Sequence, residues 1–399
     1  MRDLTLVVPT YNRPEYLQRL LEYYASFDVP LQILVLDSSR DEIRVANQVL
    51  IADLGPYFRH VSYRGDIPVA TKLMQGLGLV KTAYCSFCAD DDLVFIDGLL
   101  AAKDFLGKNS DYACVDGVYL IYWVVDNQVN AKIEYASNGI DADHPGARIF
   151  RLFQSYESLF YGVFRTPELA RIFAGVSRIP SLHFQELYQA TSALLLGKSH
   201  RLPLFYAARQ HCEPAEPQRD KWQTYYWFAE NREEFLQHYV AYREELWSFY
   251  QANVPDYVLS HDDFNKAIDL SHMVFFASGC PPQYFFAELQ SLWPQEVFKS
   301  TRAGGSVRDQ LKSADRIQWE NRVELLIERL RARVRRYYSE ARIDELNREV
   351  QAETKTAWRL ALHENLEWLA SVPEFSRAYL QLCRYLDCAM QTSAQESLN

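Results

Sequence analysis

Two apolar, β-branched runs on either side of one helical pattern constrain what this chain can fold into more than any other feature. Leu4-Thr5-Leu6-Val7-Val8 has the makeup of a strand buried on both faces, and Pro9 ends its hydrogen-bond ladder. Pro14 suits a first helical turn, Glu15 favours the positive end of the dipole, and Tyr16, Leu17, Leu20, Leu21 and Tyr24 recur at helical spacing. Leu31 to Leu36 reads as a second buried strand, ending in Asp37-Ser38-Ser39. A β-α-β unit of this kind places its loops together at the carboxyl edge of a parallel sheet, where ligands bind.

The same alternation continues. A helical pattern runs from about Val69 to Val80, and Ala83 to Cys88 forms a third strand that delivers Ala89-Asp90-Asp91-Asp92 to the same edge. Tyr112 to Val125 suggests further strand, with a hairpin around Asp126-Asn127. Beyond about Leu152 the pattern turns mostly helical, and Pro203, Pro214 and Pro217 mark a loop. From Trp222 onward the chain reads as all-helical, with breaks near Cys280-Pro281-Pro282 and Gly304-Gly305. Val323, Leu326, Leu330, Val334, Tyr337 and Ala341 predict a long amphipathic helix. The expected division is an α/β domain over 1–220 and a helical domain over 221–399 for acceptor binding or oligomerisation, a homodimer included.

Composition matters for what it excludes. A formal charge of −10 disfavours a nonspecific nucleic-acid binder, which needs surplus Lys and Arg. Seven scattered cysteines show no disulfide framework, which points to a reducing compartment. No apolar run reaches membrane-spanning length, so the expected location is the cytoplasm, with peripheral attachment to the inner face of the membrane left open.

Three consecutive carboxylates repel one another unless a positive charge sits among them. Mg²⁺ or Mn²⁺ is such a charge: it takes one or two carboxylates and fills its other positions with water and phosphate oxygens. The competing reading of Asp90-Asp91-Asp92 is an acidic turn capping a helix that starts near Leu93.

Four motifs in order resemble the inverting GT-A glycosyltransferases of family 2. They are Val7-Val8-Pro9-Thr10-Tyr11-Asn12-Arg13, Leu34-Val35-Leu36-Asp37-Ser38-Ser39, Ala70-Thr71-Lys72-Leu73-Met74-Gln75-Gly76, and Tyr84 through Asp92. The resemblance covers roughly the first 120 residues and then fades. It implies a GT-A-type, Rossmann-like α/β domain binding a nucleotide-diphosphate sugar, UDP being the commonest nucleotide of that family. Pro9, Thr10, Tyr11, Arg13, Asp37, Lys72, Asp90 and Asp91 would then line the donor. Asp37 would accept from the base, and Lys72 and Arg13 would offset phosphate charge. Asp91 and Asp92 would carry the cation, with His211 as a further ligand. Two positions depart from the pattern: aligned by the strand, the first metal-motif carboxylate falls on Ala89, and Ser38 replaces a frequent second acid.

An inverting transfer needs a base for the acceptor hydroxyl. Glu186, in Leu182-His183-Phe184-Gln185-Glu186, falls where the family carries a carboxylate pair at a helix start, Gln185 replacing the first member. A glutamate paired with the helix dipole is the competing reading, and Glu157 is the second candidate base. Gln218-Arg219-Asp220-Lys221-Trp222 is similar to the signature of processive synthases, but Lys stands in place of Arg and membrane helices are lacking. Cys85 and Cys88 read as core, and His261-Asp262-Asp263 as a helix cap.

The activity so implied transfers a sugar from a nucleotide diphosphate to a hydroxyl of a glycan, glycolipid or small molecule. Two alternatives stay open. One is a noncatalytic nucleotide-sugar binder or scaffold acting through the helical half. The other is a sugar nucleotidyltransferase, although Thr10-Tyr11-Asn12-Arg13 lacks the glycine-rich loop such an enzyme uses for a triphosphate.

Overall fold

Strand β1 (Leu4–Thr10) is central because it is apolar on both faces: Leu4, Leu6, Val7 and Val8 are fully buried. The structure is a computed structural model describing residues 3–27, 31–125, 128–135, 137–211, 227, 231–255, 259–279, 381–382 and 385–386. Among these, β1 pairs in parallel with β2 (Leu31–Asp37) on one side and β4 (Tyr84–Phe87) on the other, and β3 (Phe58–Ser62) extends the sheet beyond β2.

The remaining strands are β5 (Leu93–Val94), β6 (Tyr112–Val125), β7 (Gln128–Tyr135), β8 (Val163–Arg165) and β9 (Lys198–Gln210). The described sheet has nine strands in the order β3-β2-β1-β4-β8-β6-β9-β5, with β7 paired to β6. It is a mixed α/β sheet, as the alternating pattern predicts. The expected hairpin is present, β6 and β7 pairing antiparallel from Val125/Gln128.

Helices α1 (Pro14–Ala25), α2 (Asp41–Asp53), α3 (Val69–Leu77) and α4 (Ile96–Lys108) connect the first strands. Pro14 opens α1, and Leu17, Leu20, Leu21, Tyr23 and Tyr24 form its buried stripe. Helices α5 (Pro145–Gln154), α6 (Thr166–Val176) and α7 (Leu182–Leu196) follow, and Ser181 caps α7 by accepting from the Phe184 amide at 3.2 Å.

The structure adds elements to the expected ones and moves one residue. The sequence reading passes over α2 and β3, because Phe58-Arg59-His60-Val61-Ser62 is an edge strand with no fully buried residue. Most described residues after Leu152 are helical, as expected, but the region also contributes two strands that the sequence reading passes over, β8 and the thirteen-residue β9. Pro203 sits inside β9 rather than in a loop. It occupies a bulge, since Gly117 pairs with Leu202 and Val118 with Phe205, so a residue with no amide hydrogen leaves no ladder bond missing. A Cβ on Gly117 would lie 2.6 Å from the Leu204 carbonyl, which is why glycine stands opposite the bulge.

Contacts divide the chain into two compact units. One comprises Met1–Pro145, Glu157–Glu213 and Arg348–Asn399; the other comprises Gly146–Tyr156 and Pro214–Asn347. In the second, α8 (Arg232–Asn253) and α9 (His261–Gly279) pack together, and Tyr242 Oη lies 2.9 Å from Nε2 of the buried His272. Ser260 caps α9, accepting from the Asp263 amide at 3.1 Å. No described helix is long and apolar enough to cross a membrane. The amphipathic helix expected over 323–341, the Gln218–Trp222 motif and the breaks at 214, 217, 280–282 and 304–305 lie outside the described residues.

Candidate functional site

The chain leaves β1 for β2 and β3 on one side, then returns to place β4 on the other. The crossover direction therefore reverses at β1, and the crevice beyond the carboxyl ends of β1 and β4 is the switch point where open α/β sheets bind ligands. Thr10 closes β1 and Asp90 follows β4. Thr10 Oγ1 donates to Asp90 Oδ2 at 2.7 Å. Arg13, at the mouth of α1, brings one nitrogen to both neighbouring acids: Nη1 lies 3.2 Å from Asp90 Oδ1 and 2.6 Å from Asp91 Oδ2. Its side chain is 49% exposed, so it meets the acids from the solvent side.

The three acids have different surroundings. Asp90 is buried, which raises its pKa, and the charge of Asp91 adds to the rise while Thr10 and Arg13 oppose it. Asp92 is also buried, and its pKa is pushed up to about 6 by burial and then by Asp91. Both Asp92 oxygens are engaged: Oδ1 accepts from the Gln210 amide at 2.8 Å and Oδ2 from the Tyr161 hydroxyl. Asp91 is the most open of the three, at 17% exposure against 5% for Asp90 and 8% for Asp92.

Behind this rim lies a polar floor. Asp37 ends β2 fully buried, accepting from the Ser39 amide at 2.8 Å, Asn47 Nδ2 at 2.8 Å and His60 Nε2 at 3.1 Å. Burial works against its charge, but these donors win and hold the pKa at about 2. Lys72 is buried on α3, donating to the Thr10 carbonyl at 2.9 Å and to Ser38 Oγ at 2.8 Å. Its pKa is lowered to about 8 by burial, with Asp37 and Asp90 opposing. Asn12 adopts a left-handed backbone (φ 54°), and its Oδ1 accepts from the Arg40 amide at 2.9 Å, joining the β1 and β2 loops. Tyr11 is exposed beside them, and Gly65 approaches it next to a shallow depression of about 540 Å³ lined by Arg44, Tyr63 and Arg64.

No family model matches this chain, and curated proteins give no match either. Among solved structures it is similar to S. aureus TarS 1–349 in complex with UDP, at 15% identity over 84% of this chain and 89% of that one, with a TM-score of 0.40. It spans 56% of a longer S. aureus TarS chain, at 14% identity over 77% of its own length and a TM-score of 0.39. It is also similar to the mannosyltransferase PcManGT from Pyrobaculum calidifontis in complex with GDP-Man and Mn²⁺, at 13% identity over 75% of this chain and 83% of that one, with a TM-score of 0.37.

The structure brings Thr10, Arg13, Asp90 and Asp91 together at the edge, with Tyr11 just past the end of β1; Pro9 does not end the ladder as expected but lies within β1, opposite Leu36. It turns Asp37 and Lys72 inward, into the floor. Asp91, Asp92 and His211 are not gathered as a ligand set: among the described residues no three His, Cys, Asp or Glu are so arranged. His211 is exposed at the end of β9, its amide donating to the Tyr122 carbonyl at 2.7 Å. Two carboxylate oxygens, from Asp90 and Asp91, converge on one cationic atom of Arg13, which is the donor chemistry a hard divalent cation takes.

Glu186 is half-buried in the first turns of α7, near enough to Tyr135 for its charge to help raise that phenol's pKa, after burial and against Arg209. Glu157 is committed elsewhere: it bonds Ser137 Oγ and pairs with the buried Arg201, which also holds Asp116 at 2.8 Å. Cys85 and Cys88 are buried free thiols. The sequence reading passes over Tyr161, Tyr122, Gln210 and Arg209. Arg209 lies 3.9 Å from Asp92 and pairs with Glu134 at 3.1 Å.

Proposed function

We propose that this chain is a GT-A-type glycosyltransferase that binds a nucleotide-diphosphate sugar in the crevice beyond β1 and β4. The observation that carries the reading is the convergence of Thr10, Arg13, Asp90 and Asp91 at the switch point of the sheet. There a guanidinium and a carboxylate pair sit where a diphosphate and its cation would dock. The nucleoside end would lie along the end of β1 at Pro9 and Thr10, against the exposed Tyr11 ring.

Asp90 and Asp91 would hold Mn²⁺ or Mg²⁺, whose chemistry when bound is neutralisation of diphosphate charge. Asp92 anchors the loop through Tyr161 and Gln210. Arg13 contributes positive charge toward the phosphates. Asp37 and Lys72 act from below: they fix the β1 and β2 loop ends and so present Thr10 and Tyr11.

In an inverting transfer Glu186 takes the proton of the acceptor hydroxyl. The freed oxygen pair forms the bond to the anomeric carbon while the bond to the diphosphate breaks, and the diphosphate leaves with that electron pair. The acceptor would be a hydroxyl of a glycan, glycolipid or small molecule, and the protein would work in the cytoplasm.

Titration calorimetry with UDP, GDP, CDP and dTDP, with and without Mn²⁺, tests the donor site. The expected result is metal-dependent binding of one nucleotide, lost in Asp91→Ala. Absence of binding by every nucleotide under both conditions removes the donor-site assignment.

A further inference from the structure

The described residues near the carboxyl terminus belong to the same compact unit as the acidic loop. Leu382 and Tyr385 are fully buried, and Leu386 is nearly so. Tyr385 and Gln381 meet α1: the Tyr385 ring meets Tyr23 edge-on with centroids 5.7 Å apart, and the Tyr23 hydroxyl donates to Gln381 Oε1 at 3.2 Å. Arg19, one turn earlier on α1, holds its guanidinium 4.5 Å from the Tyr385 ring centroid and 5.0 Å from that of Tyr16. A cation held against aromatic faces away from water gains from both the ring quadrupole and the packing of its stem.

From Arg19 the contacts lead to the acids. Arg19 Nη2 donates to Gln210 Oε1 at 3.1 Å. The Tyr122 hydroxyl lies 3.3 Å from that same oxygen and 3.3 Å from the Asp91 carbonyl. The Gln210 amide donates to Asp92 Oδ1 at 2.8 Å. Gln210 is thus gripped at its side chain by α1 and, through its backbone, grips the acidic loop. The guanidinium of Arg19 lies over the face of the Tyr385 ring, which is the contact a phenylalanine would keep.

The geometry points to Tyr385 and Arg19 as positioning residues for the Asp90–Asp92 loop, acting through Gln210; this deepens the donor-site reading above and rests on it for its functional consequence. The segment around Tyr385 then serves the donor side of the protein, whereas the sequence pattern suggests acceptor binding or oligomerisation for 221–399. A loop whose acids must converge within a few tenths of an ångström on a cation loses that convergence when its support loosens.

Hydrogen exchange on the full chain tests this, because the Gln210 amide is itself the donor to Asp92. Tyr385→Ala and Gln210→Leu are expected to speed exchange at least tenfold in peptides covering 89–94 and 207–211, with β2 and β3 unchanged. Tyr385→Phe, which keeps the ring, is expected to stay within twofold of the parent. Metal-dependent nucleotide affinity should fall tenfold or more in Tyr385→Ala and hold in Tyr385→Phe. The proposal is overturned if faster exchange is confined to 16–23 and 381–386, if it rises equally over β1, β2 and β3, or if Phe behaves as Ala. A parent protein that binds no nucleoside diphosphate defeats the donor-site reading instead, and the exchange pattern then decides the positioning role by itself.

Discussion

Thr10 Oγ1 and Asp90 Oδ2, eighty positions apart in the chain, share a buried hydrogen bond of 2.7 Å that closes the gap between the ends of β1 and β4. Thr10→Val keeps the shape and removes the donor, leaving a buried carboxylate oxygen short of a partner. A loss of about 1–3 kcal/mol is expected in urea unfolding. Thr10→Ser keeps the hydroxyl and is expected to recover most of it.

Asp91 and Asp92 are expected to separate in function. Asp91→Asn removes the most open carboxylate and should weaken metal-dependent nucleotide binding about tenfold or more. Asp92→Asn keeps an oxygen for the Gln210 amide and relieves a buried charge, so affinity should change less than about threefold. Parallel calorimetry of the two variants checks the contrast, and equal losses would return Asp92 to the cation.

Glu186→Gln should lower kcat by about 10²- to 10⁴-fold while the nucleotide Kd stays near that of the parent, as expected for a group acting on the acceptor hydroxyl. Single-turnover rates beside calorimetry distinguish this from damage to the donor site. An unchanged rate sinks the assignment of the base.

Lys72→Met retains the stem and removes the ammonium that joins Thr10 to Ser38. The Thr10 carbonyl keeps the Ser38 amide at 3.2 Å, so the loss falls on Ser38 Oγ, about 1–3 kcal/mol for an acceptor without its donor, partly offset because a charge no longer has to be buried. Net destabilisation and weaker nucleotide binding are expected together, since the loop bearing Tyr11 and Arg13 loses its floor. Calorimetry paired with thermal unfolding reads both, and weaker binding without lost stability would put the ammonium in direct contact with the nucleotide.

His183, whose pKa burial lowers to about 4 from 6.5, is expected to contribute to loss of stability in acid. Between those values the unfolded chain holds a proton that the folded chain does not. Stability is therefore fully present above about pH 6.5, falls as pH drops, and levels off below about 4, a change of at most about 3 kcal/mol. His183→Phe should flatten this part of the curve in urea titrations between pH 7 and pH 4. An unaltered slope would assign the acid limb to other groups.

Local sequence carries the first half of the sheet well. Leu4–Val8 and Leu31–Leu36 are buried on both faces, so their composition is their signature. Asp90–Asp92 is legible as a site for the same reason: three adjacent acids demand an explanation on the spot. The support beneath it is not. Tyr161 and Gln210 reach Asp92 from 69 and 118 residues away, and no pattern within either segment announces the contact. Lys72 reads as a cation facing the nucleotide because residue type says nothing of direction. Its spacing does: it precedes Gly76 by one helical turn, on the side of α3 where Ala70, Leu73 and Leu77 are buried. β9 escapes notice because Pro203 and its basic residues break the alternation that marks a strand, and only the bulge opposite Gly117 makes them compatible.

The bond from the Gln210 amide to Asp92 also orders events in time. During synthesis Asp92 emerges 118 residues before the amide that will hold it, an interval of roughly 6 to 24 seconds at ordinary elongation rates of about 5–20 residues per second. Tyr161, 69 residues on, supplies a partner for one carboxylate oxygen part-way through, while the other stays hydrated until Gln210 follows. Completion of the acidic loop is thus scheduled by the ribosome's progress through β9, and slow codons between Tyr161 and Gln210 would lengthen the life of the half-built state.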